Sequence, residues 1–128
     1  MKKISKNAQR LLLWAAEYLK DDNHWYRGWC DGDSYSTSHK VCALGAIRKG
    51  AVELGMEKRD GAVDYYRTSV GGNADIIDAE AALESVVMSD IPSWNDRRST
   101  THQDVHAAYC LAVKQYVDPN IVTDEEVK

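Results

Sequence analysis

Cys42 is the residue of this sequence whose type and position could best support covalent chemistry. It begins an apolar stretch with helical spacing, and a helix N-terminus stabilises a thiolate. Acyl transfer by a thiol also needs a base and a group that orients the base. His39, His102 or Asp96 would supply them only if the fold brought them close. The competing interpretation, which we favour, is that Cys42 is a small buried apolar residue beside Gly45.

A second candidate is the polar segment Trp94-Asn95-Asp96, which Arg97 follows directly. An amide and a carboxylate beside an aromatic ring could bind a polar ligand, with Arg97 meeting a negative charge. The same side chains could instead form turn hydrogen bonds, with Trp94 anchoring the loop. We favour this structural interpretation. Asp96 stays a candidate catalytic group, and Trp94, Asn95 and Arg97 stay candidate binding residues.

Two patterns suggest metal ions, and neither is complete. His102 and His106 stand four residues apart, a spacing that can place two imidazoles on one helix face. The metalloprotease pattern has Glu directly after the first His, where this chain has Gln103. The stretch that begins Asp31-Gly32-Asp33 lacks the sixth-position glycine and twelfth-position glutamate of an EF-hand calcium loop. We therefore predict no metal site and no cofactor.

Aromatic residues gather in a long polar stretch, residues 21–38. Trp25, Tyr26 and Trp29 stand there with Arg27 among turn-forming residues. Loops of this length are uncommon unless they pack against the fold or serve a function. Tryptophan, tyrosine and arginine are favoured anchors of protein interfaces. We therefore predict that Trp25, Tyr26 and Trp29 belong to a binding surface.

The composition excludes several classes of protein. The chain has 128 residues, of which 44% are hydrophobic and 28% charged, as is usual for a folded domain. Its net charge of −4 disfavours non-specific nucleic-acid binding, which needs many cations. No apolar run approaches the roughly 20 residues that cross a membrane. The N-terminal stretch is amphipathic rather than a signal peptide. Three cysteines without a CxxC motif predict no disulfide framework, and hence a cytoplasmic protein.

Apolar spacing predicts the helices that position these residues. The first covers residues 8–19, with Ser5 or Asn7 as its cap. The second runs from about 38 to 54, capped by Ser38 and ended by Gly55, and Gly45-Ala46 would let another backbone approach closely. Residues 58–72 are ambiguous.

A fourth helix is predicted near 74–88, with Asn73 as its cap. Pro92 argues against simple helix continuation, so 91–98 is interpreted as a turn. The last helix opens at Thr100 or Thr101 with capping-box spacing and stops before Pro119. The fold class is therefore all-α, a single compact domain of four to five helices in residues 1–119. Residues 120–128 form an acidic tail that we expect to fray.

The order of the motifs resembles a family of small uncharacterised helical proteins of bacteria and phages. The resemblance covers roughly residues 8–116. It is carried by Gly28-Trp29, by Cys42-x-x-Gly45-Ala46-Ile47, and by Trp94-Asn95-Asp96-x-x-x-Thr100-x-x-x-Asp104-Val105. It implies a similar helical fold whose core is built around the Cys-x-x-Gly-Ala helix and the Trp-Asn-Asp turn. It implies no activity, and its pattern does not include the histidines that a thiol–imidazole enzyme would use.

Three functions follow as hypotheses. The first is a non-catalytic protein-interaction module. In a phage or mobile element, such a module would act as an accessory factor or inhibitor directed at a host protein. The second is a hydrolase or transferase that uses Cys42, supported by Asn95 or Asp96. The third binds a nucleotide or other small ligand between the Trp-Asn-Asp turn and the second helix, with Arg97 or Arg98 meeting an anion. We favour the first, with a protein partner and an oligomeric state that the sequence leaves open.

Overall fold

The computed structural model describes residues 3–25, 27, 40–56 and 74–121. In these ranges the chain forms five α-helices and one short 3-10 helix, Asp22–His24. The α-helices are α1 (Lys6–Tyr18), α2 (Ala43–Glu53), α3 (Ala74–Val87), α4 (Ile91–Asp96) and α5 (His102–Tyr116). The predicted all-α class is thus confirmed. The ambiguous segment 58–72 and the tail from 122 onward lie outside the described residues.

Helix α1 lies at the centre of the helical packing and contacts α2, α3 and α5. Its N-cap is Ser5, whose Oγ accepts a hydrogen bond from the backbone N–H of Ala8 at 3.0 Å. The same hydroxyl donates to Asp75 of α3 at 2.6 Å, so the first turns of the two helices are tied together. The predicted apolar stripe is the buried face, and its fully buried members are Ala8, Leu11, Leu12, Ala15 and Leu19.

Helix α2 begins at Ala43, so the predicted start near residue 38 is wrong. Val41 is extended because it pairs with Trp25 in an isolated parallel β-bridge, and its N–H donates to the carbonyl of His24 at 2.7 Å. Cys42 then acts as the N-cap. The predicted end is confirmed, since Gly55 adopts a positive φ of 77° that favours glycine.

Helices α1 and α2 approach each other at Gly50. A Cβ atom there would lie 2.9 Å from Cε3 of Trp14, closer than two carbons can pack. The absence of a side chain at Gly50 therefore sets the distance between the two helices. The sequence pointed to Gly45-Ala46 for such an approach and did not single out Gly50.

The predicted turn at 91–98 is wrong over its first six residues, because Ile91–Asp96 form α4. Pro92 lies in the first turn, where a missing N–H breaks no helical hydrogen bond. Asp90 caps this helix by accepting from the N–H of Ser93 at 3.1 Å. Hydrogen bonds from Ser93 lower the pKa of Asp90 below its ordinary value, helped by the charge of Arg97.

Helix α5 begins with the predicted capping box. Thr101 accepts from the N–H of Asp104 at 3.2 Å, and Asp104 accepts from the N–H of Thr101 at 2.9 Å. Val105, Tyr109 and Ala112 then bury one face of the helix in the core. The predicted end before Pro119 is also confirmed, since α5 stops at Tyr116.

A buried ion pair links α2 to α3. A terminal guanidinium nitrogen of Arg48, a residue only 1% exposed, lies 2.6 Å from Oε1 of Glu80. Burial raises the pKa of Glu80, and the opposing effect of the Arg48 charge only partly offsets it. The sequence pattern of α2 did not predict that Arg48 would be buried.

No helix in the part of the chain that the structure describes is long and apolar enough to cross a membrane.

Candidate functional site

The two motifs singled out in the sequence meet at the side chain of Asn95, which is fully buried. Its Oδ1 accepts a hydrogen bond from Nε1 of Trp25 at 2.7 Å. The same oxygen accepts from the backbone N–H of Ala43 at 2.9 Å. One amide oxygen therefore joins α4, the Trp25 segment and the first turn of α2. We call this contact the Asn95 junction.

The start of α2 is held from a second side by α5. The hydroxyl of Tyr109, which is fully buried, donates to the carbonyl of Ala43. Ala43 is thus bonded through its N–H to Asn95 and through its carbonyl to Tyr109. The Nδ2 of Asn95 donates to the carboxylate of Asp96 at 3.2 Å, which orients the amide. These bonds satisfy polar groups that burial would otherwise penalise.

Cys42 lies directly beside this junction and is 4% exposed. Its Sγ accepts from the N–H of Gly45 at 3.3 Å, so the sulfur caps α2. Cys42 is also disulfide-bonded. The other described cysteine, Cys110, is free.

The sequence predicts no disulfide framework, and it does not foresee this single disulfide at Cys42, because chain spacing does not reveal which sulfurs meet in space. Thiol chemistry at Cys42, the alternative hypothesis, would first need reduction of this bond. The cytoplasmic location rested partly on the same expectation and stays a prediction.

Trp25 and Arg27 continue the junction toward the surface. The guanidinium of Arg27 lies 5.8 Å from the centre of the Trp25 ring, within cation–π distance. One terminal nitrogen donates to the carbonyl of Thr100 at 2.6 Å and to that of Arg98 at 3.3 Å. Trp25 is half-buried and Arg27 exposed. Tyr26 and Trp29, the other predicted binding aromatics, lie outside the described residues.

Two other predicted binding residues, Trp94 and Arg97, are at least partly exposed. Arg97 is exposed and donates to Oγ of Ser89 at 3.2 Å. Trp94 is half-buried and packs against the core. Met88 precedes Ser89, is 89% exposed, and has a φ of 57°. A non-glycine residue with this backbone conformation is uncommon and carries local strain.

Two histidines, His24 and His102, bind carbonyl groups at the end of α1 and do not contact Cys42 in these bonds. His102 donates through Nε2 to the carbonyl of Leu19 at 2.5 Å, since a carbonyl can only accept. His24 donates through Nδ1 to the carbonyl of Tyr18 at 2.7 Å. Both bonds satisfy carbonyl groups that a helix end leaves without intrahelical partners.

Tyr18 also stacks on His24, with ring centres 4.0 Å apart, and on Trp14 at 4.8 Å. Burial raises the pKa of Tyr18, and the carboxylates of Glu53 and Asp21 raise it further. This stack orders the end of α1 and the 3-10 helix that follows it.

Two surface features were missed in the sequence. The first is Met88, whose backbone conformation has no clear sequence signal. The second is the pair formed by His106 and Cys110 on α5, where Nε2 and Sγ lie 3.5 Å apart. Their four-residue spacing was visible in the sequence. The metal-ligand spacing in the sequence pairs His106 with His102 instead, whose ring lies nearly parallel to it at a centre-to-centre distance of 6.3 Å.

Comparison with known proteins gives a family and no activity. No curated protein and no solved structure matches the chain. The model of a family of unknown function, DUF6197, matches residues 4–115, which include every described helix except the last residue of α5. The chain therefore belongs to this family of unknown function, DUF6197.

Proposed function

We propose that this domain is a non-catalytic protein-interaction module that binds an acidic segment of its partner. The observation that carries the proposal is Met88, which is 89% exposed at a strained backbone position. An apolar side chain held in water at a cost in backbone energy is a reason to look for a binding role. Methionine, arginine and tryptophan are among the residues enriched in protein interfaces.

Two hydrogen bonds between chain neighbours of Met88 and Arg97 link Met88 to exposed arginines. Met88 adjoins Ser89, whose hydroxyl accepts from Arg97. Arg98 follows Arg97, and its carbonyl accepts from Arg27. We call this set the arginine surface; its residues are Arg27, Met88, Trp94, Arg97 and Arg98.

The arginine surface gathers three exposed cations in a chain whose net charge is −4. Opposite charge steers a partner to a surface and selects against wrong partners. Guanidinium groups also bind carboxylates in a two-point geometry. An acidic segment with an apolar residue for Met88 to contact would match this surface. The finer role, as an accessory factor or inhibitor directed at a host protein, is part of our proposal and rests on the family resemblance.

The buried motifs support the choice of an exposed binding surface, because their polar atoms already form hydrogen bonds within the fold. Asn95 accepts hydrogen bonds from two elements of the fold, and the Cys42 sulfur caps α2. Replacing Trp25, one of the predicted binding aromatics, would remove a donor from the Asn95 junction. Such a variant would confuse lost binding with lost stability, so the test belongs at exposed positions.

The test compares partner capture by the wild type and two surface variants. Met88→Gly removes the side chain and relieves the positive φ, so the domain should be as stable as the wild type within about 1 kcal/mol. Arg97→Glu combined with Arg98→Glu reverses two charges. Both variants should lose the proteins that cross-link to the wild type in lysate of the source cell.

Leu111→Ser serves as the matched control, since Leu111 is an exposed apolar residue of α5 outside the arginine surface. This variant should retain the captured proteins. Capture that survives both surface variants, with thermal unfolding unchanged, would refute the proposed interface.

A further inference from the structure

The exposed side of α5 carries a thiol and an imidazole in direct contact. Cys110 is an exposed free cysteine one helical turn after His106. Its Sγ lies 3.5 Å from Nε2 of His106. Neither side chain serves the core, and neither takes part in the Asn95 junction or in the arginine surface. Sulfur and imidazole nitrogen are the donors that zinc and similar thiophilic cations prefer.

The separation of the two donors matches that of ligands on one tetrahedral ion. With a zinc–sulfur distance of about 2.3 Å and a zinc–nitrogen distance of about 2.1 Å, tetrahedral geometry places the donors roughly 3.6 Å apart. The observed 3.5 Å is close to this value. A cation could therefore bridge Sγ and Nε2 with little movement of either side chain.

We propose that His106 and Cys110 form a two-residue chelate for a divalent thiophilic cation of the zinc class. On binding, the Cys110 thiol releases its proton to solvent as the metal–sulfur bond forms, and Nε2 of neutral His106 donates its lone pair. Water fills the remaining coordination positions.

This chelate depends on the helix. Residues four apart meet only when the segment is helical, so the cation binds the folded state and stabilises it by mass action. The site is independent of the proposed interaction function.

His102 is not a third ligand in this arrangement. Its Nε2 is committed to the carbonyl of Leu19, and its ring centre lies 6.3 Å from that of His106. Across the ranges that the structure describes, no cluster of three or more metal-ligating side chains occurs. The assignment therefore rests on two protein ligands.

Cobalt(II) is the probe, because a cobalt–thiolate bond gives a charge-transfer absorption band that cobalt on nitrogen and oxygen ligands lacks. The full chain is titrated with cobalt without oxygen or reductant, so that the Cys42 disulfide persists. We expect the band to reach saturation at one cobalt per chain. Zinc should displace cobalt and raise the midpoint temperature of unfolding in a concentration-dependent way.

Three variants decide the assignment. Cys110→Ser should abolish the band, and His106→Gln should abolish both saturable binding and the thermal shift with zinc. His102→Gln keeps an N–H donor for Leu19 and should leave both signals intact. A band that survives Cys110→Ser or His106→Gln would overturn the chelate. Loss of the band in a folded His102→Gln protein would overturn the two-ligand assignment.

Discussion

The Asn95 junction should be among the most sensitive polar contacts of the fold, and Asn95→Ala tests this. The substitution removes the acceptor of two donors, the indole N–H of Trp25 and the backbone N–H of Ala43. A buried donor left without a partner costs about 1–3 kcal/mol. The buried N–H of Ala43 alone predicts a loss of about 1–3 kcal/mol in the free energy of unfolding, and the part-buried indole N–H of Trp25 adds to it. Such a loss is a large fraction of a typical domain's stability.

Urea unfolding followed by tryptophan fluorescence measures this loss, with Asn120→Ala as the control at an exposed asparagine. The control should change the free energy of unfolding by no more than about 0.5 kcal/mol. A parallel measurement by circular dichroism checks that the transition stays two-state.

A double-mutant cycle isolates the contact with Trp25. Trp25→Phe removes the indole N–H and retains an aromatic ring, so Asn95→Ala should cost less in that background than in the wild type. The coupling should lie within about 0.5–3 kcal/mol, as for residues in contact. Strict additivity, or a loss below about 1 kcal/mol for Asn95→Ala alone, would refute the reasoning that this amide joins the three elements.

Two further substitutions test the packing between helices. Gly50→Ala should destabilise the domain by about 1–3 kcal/mol despite the better helix propensity of alanine, because its Cβ would meet Trp14 at 2.9 Å. Adding Trp14→Leu to this variant should recover part of the lost stability. A Gly50→Ala protein more stable than the wild type would contradict the close approach. For Glu80, a raised folded-state pKa means that the native state binds the proton more tightly than the unfolded state, so its contribution to stability falls as pH rises through the window above the ordinary value of 4.5. The free energy of unfolding of the wild type, relative to that of Glu80→Gln, should therefore decline across that window in urea titrations. A relative free energy that rises with pH would show that attraction to Arg48 outweighs burial.

The helices were predictable where one local pattern decided them. The stripe from Ala8 to Leu19 and the capping box at Thr101 each depend on residues within a few positions, and both are confirmed. The start of α2 was not predictable in this way. Val41 is not part of the helix because it pairs with Trp25, sixteen positions earlier in the sequence. Local spacing does not predict that pairing.

The candidate site was predictable in its members and not in its contacts. Asn95 was singled out, and a turn hydrogen bond was favoured over ligand binding. Its partners lie 52 and 70 residues away along the chain, and a hydrogen bond over such a separation has no periodic signature. The Arg48–Glu80 pair was missed for a related reason, since a charged residue on an apolar stripe is ordinarily assigned to solvent.

The energetics of these residues separate those that hold the fold from those available to a partner. Asn95 stabilises the fold through satisfied buried bonds, so its presence is explained without a ligand. Met88 has different energetics, because its exposed side chain contributes almost no burial, its positive φ opposes stability, and glycine would fit the same backbone better. A side chain that folding does not require is the better place to look for function. We therefore expect the partner of this domain to contact Met88 and the neighbouring arginines rather than the buried motifs that first drew attention in the sequence.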